Sequence, residues 1–199
     1  MKHNFLANFI FIGIVAQSHL GFAQTAQLTS TQTPISRGEV VNKIDQLTEM
    51  RVQLASTLLN VTDRNQITEE TFKQVCQPVG LSLKAWVESD QAKQQGIKAK
   101  QISERYRNKN NKPEDFEKKA LREMYFNKDL VWKIEKEKLD GVDGFRMYRR
   151  IDTHTSCKSC HGSREQRPQF VLDKYPEDKA FGFPKDSLRG AFSIWIKGT

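Results

Sequence analysis

The chain has 199 residues, 32 Lys and Arg against 24 Asp and Glu for a formal charge of +8, three cysteines and four histidines. This length supports one domain with its own core, and beyond the N-terminus no apolar run is long enough to cross a bilayer. Acids are spread among the Lys and Arg, so the charge reads as a solvated surface suited to an acidic partner or an anionic membrane face, not to nucleic acid.

Residues 1–23 read as a signal peptide: Lys2, an apolar run over 5–15 broken only by Asn8, then Gly21 and Ala23 at the cleavage positions. Residues 24–35, rich in Gln, Thr and Ser, read as a flexible lead. Ser36 can cap a long helix in which Val40, Ile44, Leu47, Leu54 and Leu58 share one face, either as core packing or as the seam of a homodimer through residues 40–58. A break over 60–65 leads to a second helix, opened by Thr68, Glu69 and Glu70 and ended by Pro78 and Gly80, with Phe72, Val75, Cys76 and Val79 facing inward. Residues 81–99 read as helix tapering into loop, and 102–106 as a strand. After a turn-rich break over 108–113, Pro113 opens a third helix whose buried face is Phe116, Ala120, Leu121 and Met124. Leu130, Trp132 and Ile134 alternate with polar residues, as do Phe145, Met147 and Ile151, which predicts two strands reversed through 141–144. A short helix over 168–174 and a last strand over 190–196 complete an α+β pattern.

The pattern's chemistry lies in Cys157-Lys158-Ser159-Cys160-His161, which reads as a c-type haem attachment site. Two thiols three positions apart can each add across one haem vinyl group, and the histidine after the second is carried beneath the iron. A redox Cys-x-x-Cys pair would not need His161, and a zinc site would need more ligands than Cys76, His154 and scattered carboxylates offer. Export agrees with this reading, because c-type haem is joined to reduced thiols outside the cytoplasmic membrane. The expected compartment is periplasmic, or the thylakoid lumen in a cyanobacterium. Consuming Cys157 and Cys160 leaves Cys76 without a disulfide partner in an oxidising compartment.

What fills the second axial position on the iron decides its chemistry. The candidates are Cys76, the thioethers of Met50, Met124 and Met147, and His154, which is tied by its position to the same side of the ring as His161. Read from the residues alone, Cys76 is either a ligand or a buried inert thiol.

Four stretches carry a resemblance: Val75-Cys76; Arg107-Asn108 with Asn111, Pro113 and Glu117; Cys157 to Gly162; and Tyr175-Pro176 through Gly182 to Arg189-Gly190-Ala191-Phe192-Ser193. Over these the chain resembles a PAS-like haem c family first described in cyanobacteria. One departure is Lys185-Asp186-Ser187-Leu188, where that family often has Gly-Asp. The resemblance implies a PAS-like antiparallel sheet with N-terminal helices packed around one covalently bound haem c, over residues 36–199, with His161 and Cys76 as iron ligands. Arg189 is a candidate partner for a haem propionate, since guanidinium pairs with a carboxylate through two hydrogen bonds; Arg107 is a second.

Thiolate ligation favours ferric iron, so a low potential is expected, and a six-coordinate iron leaves no place for a substrate, which argues against an enzyme. Two functions are then open. One is a redox or diatomic-gas sensor working with a separate signalling partner, as the PAS-like resemblance implies; the other is a small electron-transfer cytochrome docking an acidic redox partner.

Overall fold

The computed structural model describes residues 33–59 and 66–198. The expected signal peptide, most of the flexible lead and the break over 60–65 lie outside the described residues. Residues 33–35, the end of that lead, are held: the Ile35 N–H donates to Gln95 Oε1 at 2.8 Å and Gln91 Nε2 donates to the Thr33 carbonyl at 3.0 Å.

The helices come first. α1 spans Arg37–Leu59, α2 Glu69–Val75, α3 Gln77–Val87 and α4 Asp90–Gln94. Strand β1, Lys98–Ile102, and α5, Asp115–Phe126, precede the hairpin of β2, Trp132–Leu139, and β3, Val142–Asp152. Two short helices come next, α6 over Lys158–His161 and α7 over Gln169–Lys174, before β4, Leu188–Lys197. The four strands form one antiparallel sheet in the order β1-β4-β3-β2, so the last strand in sequence lies between the first and third.

Each face of the sheet is covered. On one, Val40, Ile44 and Leu47 of α1 and Val79 and Leu83 of α3 pack against Met147, Phe192 and Ile194. On the other, Ala120, Leu121 and Met124 of α5 pack on Ile102, Tyr148 and Ala191. The apolar stripe of α1 is therefore used on this chain's own core, and a second copy would meet the helix's remaining faces. A third cluster, of Ala55, Leu59, Ile67, Val75 and Cys160, ties the end of α1 and α2 to the turn that carries Cys160.

Several boundaries differ from the sequence reading. Pro78 does not stop a helix but sits in the first turn of α3, where its missing N–H costs nothing, and the helix runs on through Gly80. Cys76 is thus the hinge residue shared by two helices, closing α2 and opening α3. β1 occupies 98–102, not 102–106, because it pairs with β4 from Lys98↔Trp195 to Ile102↔Ala191. α5 starts at Asp115 with Glu114 as its N-cap, two residues after the expected first position at Pro113, and Phe116 is 48% exposed while Glu117 is fully buried. Phe116 instead lies under the Arg146 guanidinium at 5.3 Å. The hairpin turns two residues wide at Asp140-Gly141, both at positive φ (52° and 81°), earlier than the 141–144 reversal expected. Such a turn matches the natural twist of the strands it joins.

The entry to β4 is irregular. Opposite β3 the register slips between Ile151↔Gly190 and Asp152↔Leu188, so Arg189 is the extra residue of a bulge, a device that re-aims a side chain. Gly190 is required by close approach, since a Cβ there would lie 2.2 Å from the Ile102 carbonyl oxygen. Within 185–188, Asp186 takes the left-handed backbone, at φ 57°, and the turn is pinned by two backbone hydrogen bonds with Thr153, which accepts from the Asp186 N–H at 2.7 Å and donates to the Ser187 carbonyl at 2.9 Å.

Candidate functional site

A cleft of about 610 Å³ opens between the α2–α3 hinge and the loops below the sheet; Arg51, Cys76, Arg107, His161, Tyr175 and Arg189 are among its lining. Its size suits a cofactor.

The turn over 157–161 forms one side, through His161. Cys157 opens the single turn of α6; the His161 N–H bonds the Cys157 carbonyl at 2.9 Å, and the Gly162 N–H bonds the Lys158 carbonyl at 2.8 Å. A turn of helix sets residues three and four apart on one side, which groups Cys157, Cys160 and His161. Gly162 allows the chain to leave, because a Cβ there would come 2.5 Å from the Lys158 oxygen.

His161 is oriented from behind. Its Nδ1 lies 2.7 Å from the Ala180 carbonyl oxygen, which can only accept, so Nδ1 carries the proton and Nε2 keeps its lone pair. Metal-binding histidines are fixed this way by a carbonyl or carboxylate on the other nitrogen. Burial, with the cationic Arg189 and Arg107 nearby, holds the ring's pKa well below its ordinary value, so it is neutral at pH 7. Phe183 stands edge-on to the imidazole, centroids 6.0 Å apart, and its N–H bonds the His161 carbonyl at 3.1 Å.

Behind this loop lies a buried ion-pair network. Asp178 is buried; it faces Arg107 Nε at 3.2 Å and Arg167 Nη1 at 3.0 Å, and it accepts the Ala180 N–H at 2.9 Å. Arg107 also donates to the Cys160 carbonyl at 2.8 Å. The sequence offers Arg107 as a second propionate candidate; its guanidinium is engaged in bracing the turn over 157–161.

Cys76 lies on the opposite elements of the same cleft. Burial pushes its thiol pKa up, opposed chiefly by the positive charge of Arg51. The other soft or imidazole donors are elsewhere: Met124 and Met147 are buried in the two cores, Met50 packs against one of them, and His154 is exposed. Among the described residues, Cys76 is therefore the one candidate second ligand on the cleft that holds His161.

Two arginines complete the site. Arg189, presented by the bulge, donates to Ser103 Oγ at 2.8 Å and to the Arg105 carbonyl at 3.2 Å, and lies over Phe183 at 5.1 Å. Burial, then Arg107 and Arg51, draw its pKa down to about 9, still a cation at neutral pH. Arg51 is not among the residues that the sequence reading singles out. Its Nη2 donates to Gln101 Oε1 at 2.8 Å, while its buried Nε has no partner among the described residues. A signal for it exists: Arg51 falls between Leu47 and Leu54, in register with the apolar stripe of α1, where a charged residue calls for an explanation.

These residues fit a haem. The cleft has the volume, Nε2 of His161 is an uncommitted nitrogen donor, and an orphaned guanidinium nitrogen awaits an acceptor. Among the described residues no three His, Cys, Asp or Glu side chains form a metal cluster, and iron in a porphyrin needs only two protein ligands.

Fold and site together define an α+β, PAS-like domain built around a cleft that sets a C-x-x-C-H turn against a distant cysteine. The chain belongs to the Tll0287-like family, which matches it over residues 23–197. Among solved structures it is similar to the crystal structure of the cyanobacterial heme-protein Tll0287, with a TM-score of 0.71 and 36% identity over 84% of this chain and 98% of that one. No curated protein matches it.

Proposed function

We propose that this chain is an exported c-type haem protein and not an enzyme, with haem c joined to Cys157 and Cys160 and its iron held by His161 and Cys76. It would act as a low-potential redox or diatomic-gas sensor. The observation that carries the reading is the pairing, on one cleft, of an imidazole whose Nδ1 is committed to Ala180 with Cys76. The likeness to a protein described as a heme-protein supports the cofactor. Bound there, haem would supply a one-electron couple whose potential the thiolate lowers.

The protein's own residues then divide the work. Ala180 and Phe183 fix the His161 ring, Arg189 and Arg51 favour anionic groups, and the α2–α3 hinge carries the sulfur. Sensing is favoured over electron carriage by that hinge: a ligand at the junction of a seven-residue helix with the next can be released by a small rotation. No helix among the described residues is long and apolar enough to cross a membrane. The partner of such a sensor would be a separate signalling protein.

The test is the absorption spectrum of holoprotein matured with a cytochrome c assembly system. Haem should remain attached after denaturation, and Cys76→Ser should abolish the ferric low-spin thiolate spectrum. Carbon monoxide binding to the reduced protein would support the sensor; fast electron exchange without gas binding would favour the electron-transfer cytochrome. Haem lost on denaturation, or a Cys76→Ser spectrum identical to wild type, would refute the assignment.

A further inference from the structure

We infer that a second cleft, between α5 and the segment leading into β4, binds a small singly charged organic anion with a flat apolar body, of which an aromatic carboxylate is the simplest member. Its volume is about 500 Å³, within the range of small-molecule sites.

The walls divide by chemistry. Tyr125 and Phe126, at 65% and 74% exposure, are the most exposed large hydrophobic side chains among the described residues, and they meet edge to face with centroids 5.3 Å apart. Leu121 and Phe183 continue this wall inward. Neighbouring aromatic rings left in water at the mouth of a cleft mark a surface that something covers.

The polar side is cationic and unmatched. Arg107, Arg146, Arg149, Arg150 and Arg167 each have a carboxylate partner. Arg105, Arg122 and Arg189, which converge on this cleft, have none among the described residues, as is also true of Arg37, Arg51 and Arg164, which lie outside it. Arg105 donates only to the Gly182 carbonyl, at 3.4 Å, and lies over Phe183 at 4.4 Å; Arg189 donates to Ser103 and to a backbone carbonyl; Arg122 is exposed and makes no polar contact among the described residues. Planar guanidinium forks of this kind recognise carboxylates and phosphates. Glu104 also lines the cleft and repels a multiply charged anion, and the aromatic wall adds nothing for a bare ion. Both features select a single carboxylate on an apolar body.

The cleft also has a route to the first site. Arg189 lines both, and Phe183 touches this cleft while standing edge-on to His161. An occupant here contacts residues that flank the candidate iron ligand, and this coupling rests on the haem reading; the binding does not.

The test uses holoprotein titrated calorimetrically with benzoate, benzyl alcohol and inorganic phosphate. Benzoate should bind saturably, with benzyl alcohol and phosphate each weaker by about tenfold. Arg122→Gln and Phe126→Ala, both exposed, should each weaken benzoate by about five- to tenfold, with unfolding midpoints unchanged. In wild type, benzoate should shift the haem Soret band or midpoint potential, and in Arg122→Gln the shift should require correspondingly more benzoate. Absence of saturable benzoate binding, equal binding of phosphate, or unchanged affinity in Arg122→Gln would overturn the site. Binding with no change at the haem would overturn the coupling alone, and a protein lacking attached haem would sink the haem reading while leaving the titration to decide the site.

Discussion

The two sides of the main cleft are built differently. The His161 side is cross-braced: Ala180, Phe183, Arg107, Asp178 and Arg167 fix one turn of helix through backbone and charged hydrogen bonds arranged around the buried Asp178 carboxylate. The Cys76 side rests on a seven-residue helix with a Thr68–Thr71 capping box, and its thiol sits at a hinge. Rigid and yielding halves facing one another suit a centre in which one ligand stays while the other is negotiable.

The largest effect should come from the braced side. Asp178→Asn leaves two buried guanidiniums short of their shared carboxylate, and denaturant unfolding should show a loss of about 3–5 kcal/mol. A loss under about 1 kcal/mol would mean that the network is not what holds the turn.

The His161 side also has a pH signature before haem binds. Its ring is neutral in the fold with a pKa well below 6.5, whereas the unfolded chain takes up a proton near that value. Between pH 6.5 and 5 the unfolded state therefore binds more protons, and stability should fall by up to about 1.4 kcal/mol per unit of acidification. Urea midpoints of apoprotein at pH 7.5 and 5.5 measure this, and His161→Gln should remove the difference attributable to the ring.

The yielding side should respond in spectrum and potential more than in stability. Arg51→Gln removes a cation beside the thiol. Positive charge favours the reduced state, so the midpoint potential should drop by an amount on the order of 50 mV, read by spectroelectrochemistry. A potential that rises or stays fixed would place the influence of Arg51 elsewhere.

The smallest effect is expected from Thr68→Ala, which removes the side-chain cap of α2 at a cost of about 1 kcal/mol. If the halves are independent, Cys76 should be more easily displaced by added imidazole while haem attachment is unchanged.

Range along the chain decides how much of this is legible in the sequence. The attachment motif is contiguous, so Cys157, Cys160 and His161 stand out at once, and period-two alternation reveals β2 and β3. Cys76 can be narrowed to a candidate because its helix face is visible. Its hinge role is not, since Pro78 can end one helix or begin another and only the packing of α3 on the sheet decides. The Asp178 network joins residues up to 71 positions apart, and no local pattern announces it. Polarity alone assigns Phe116 to the core, whereas Lys100 draws the neighbouring Glu117 inward through a 2.9 Å ion pair and turns Phe116 outward.

The strand order also bears on how such a molecule is put together. β4 is the last strand in sequence and the seam between β1 and β3, so the sheet stays in two halves until residues 188–197 arrive. On the proposed reading, the two thiols at 157 and 160 would hang from an unfinished scaffold while haem is joined to them, and the final stretch of polypeptide would then close over the group.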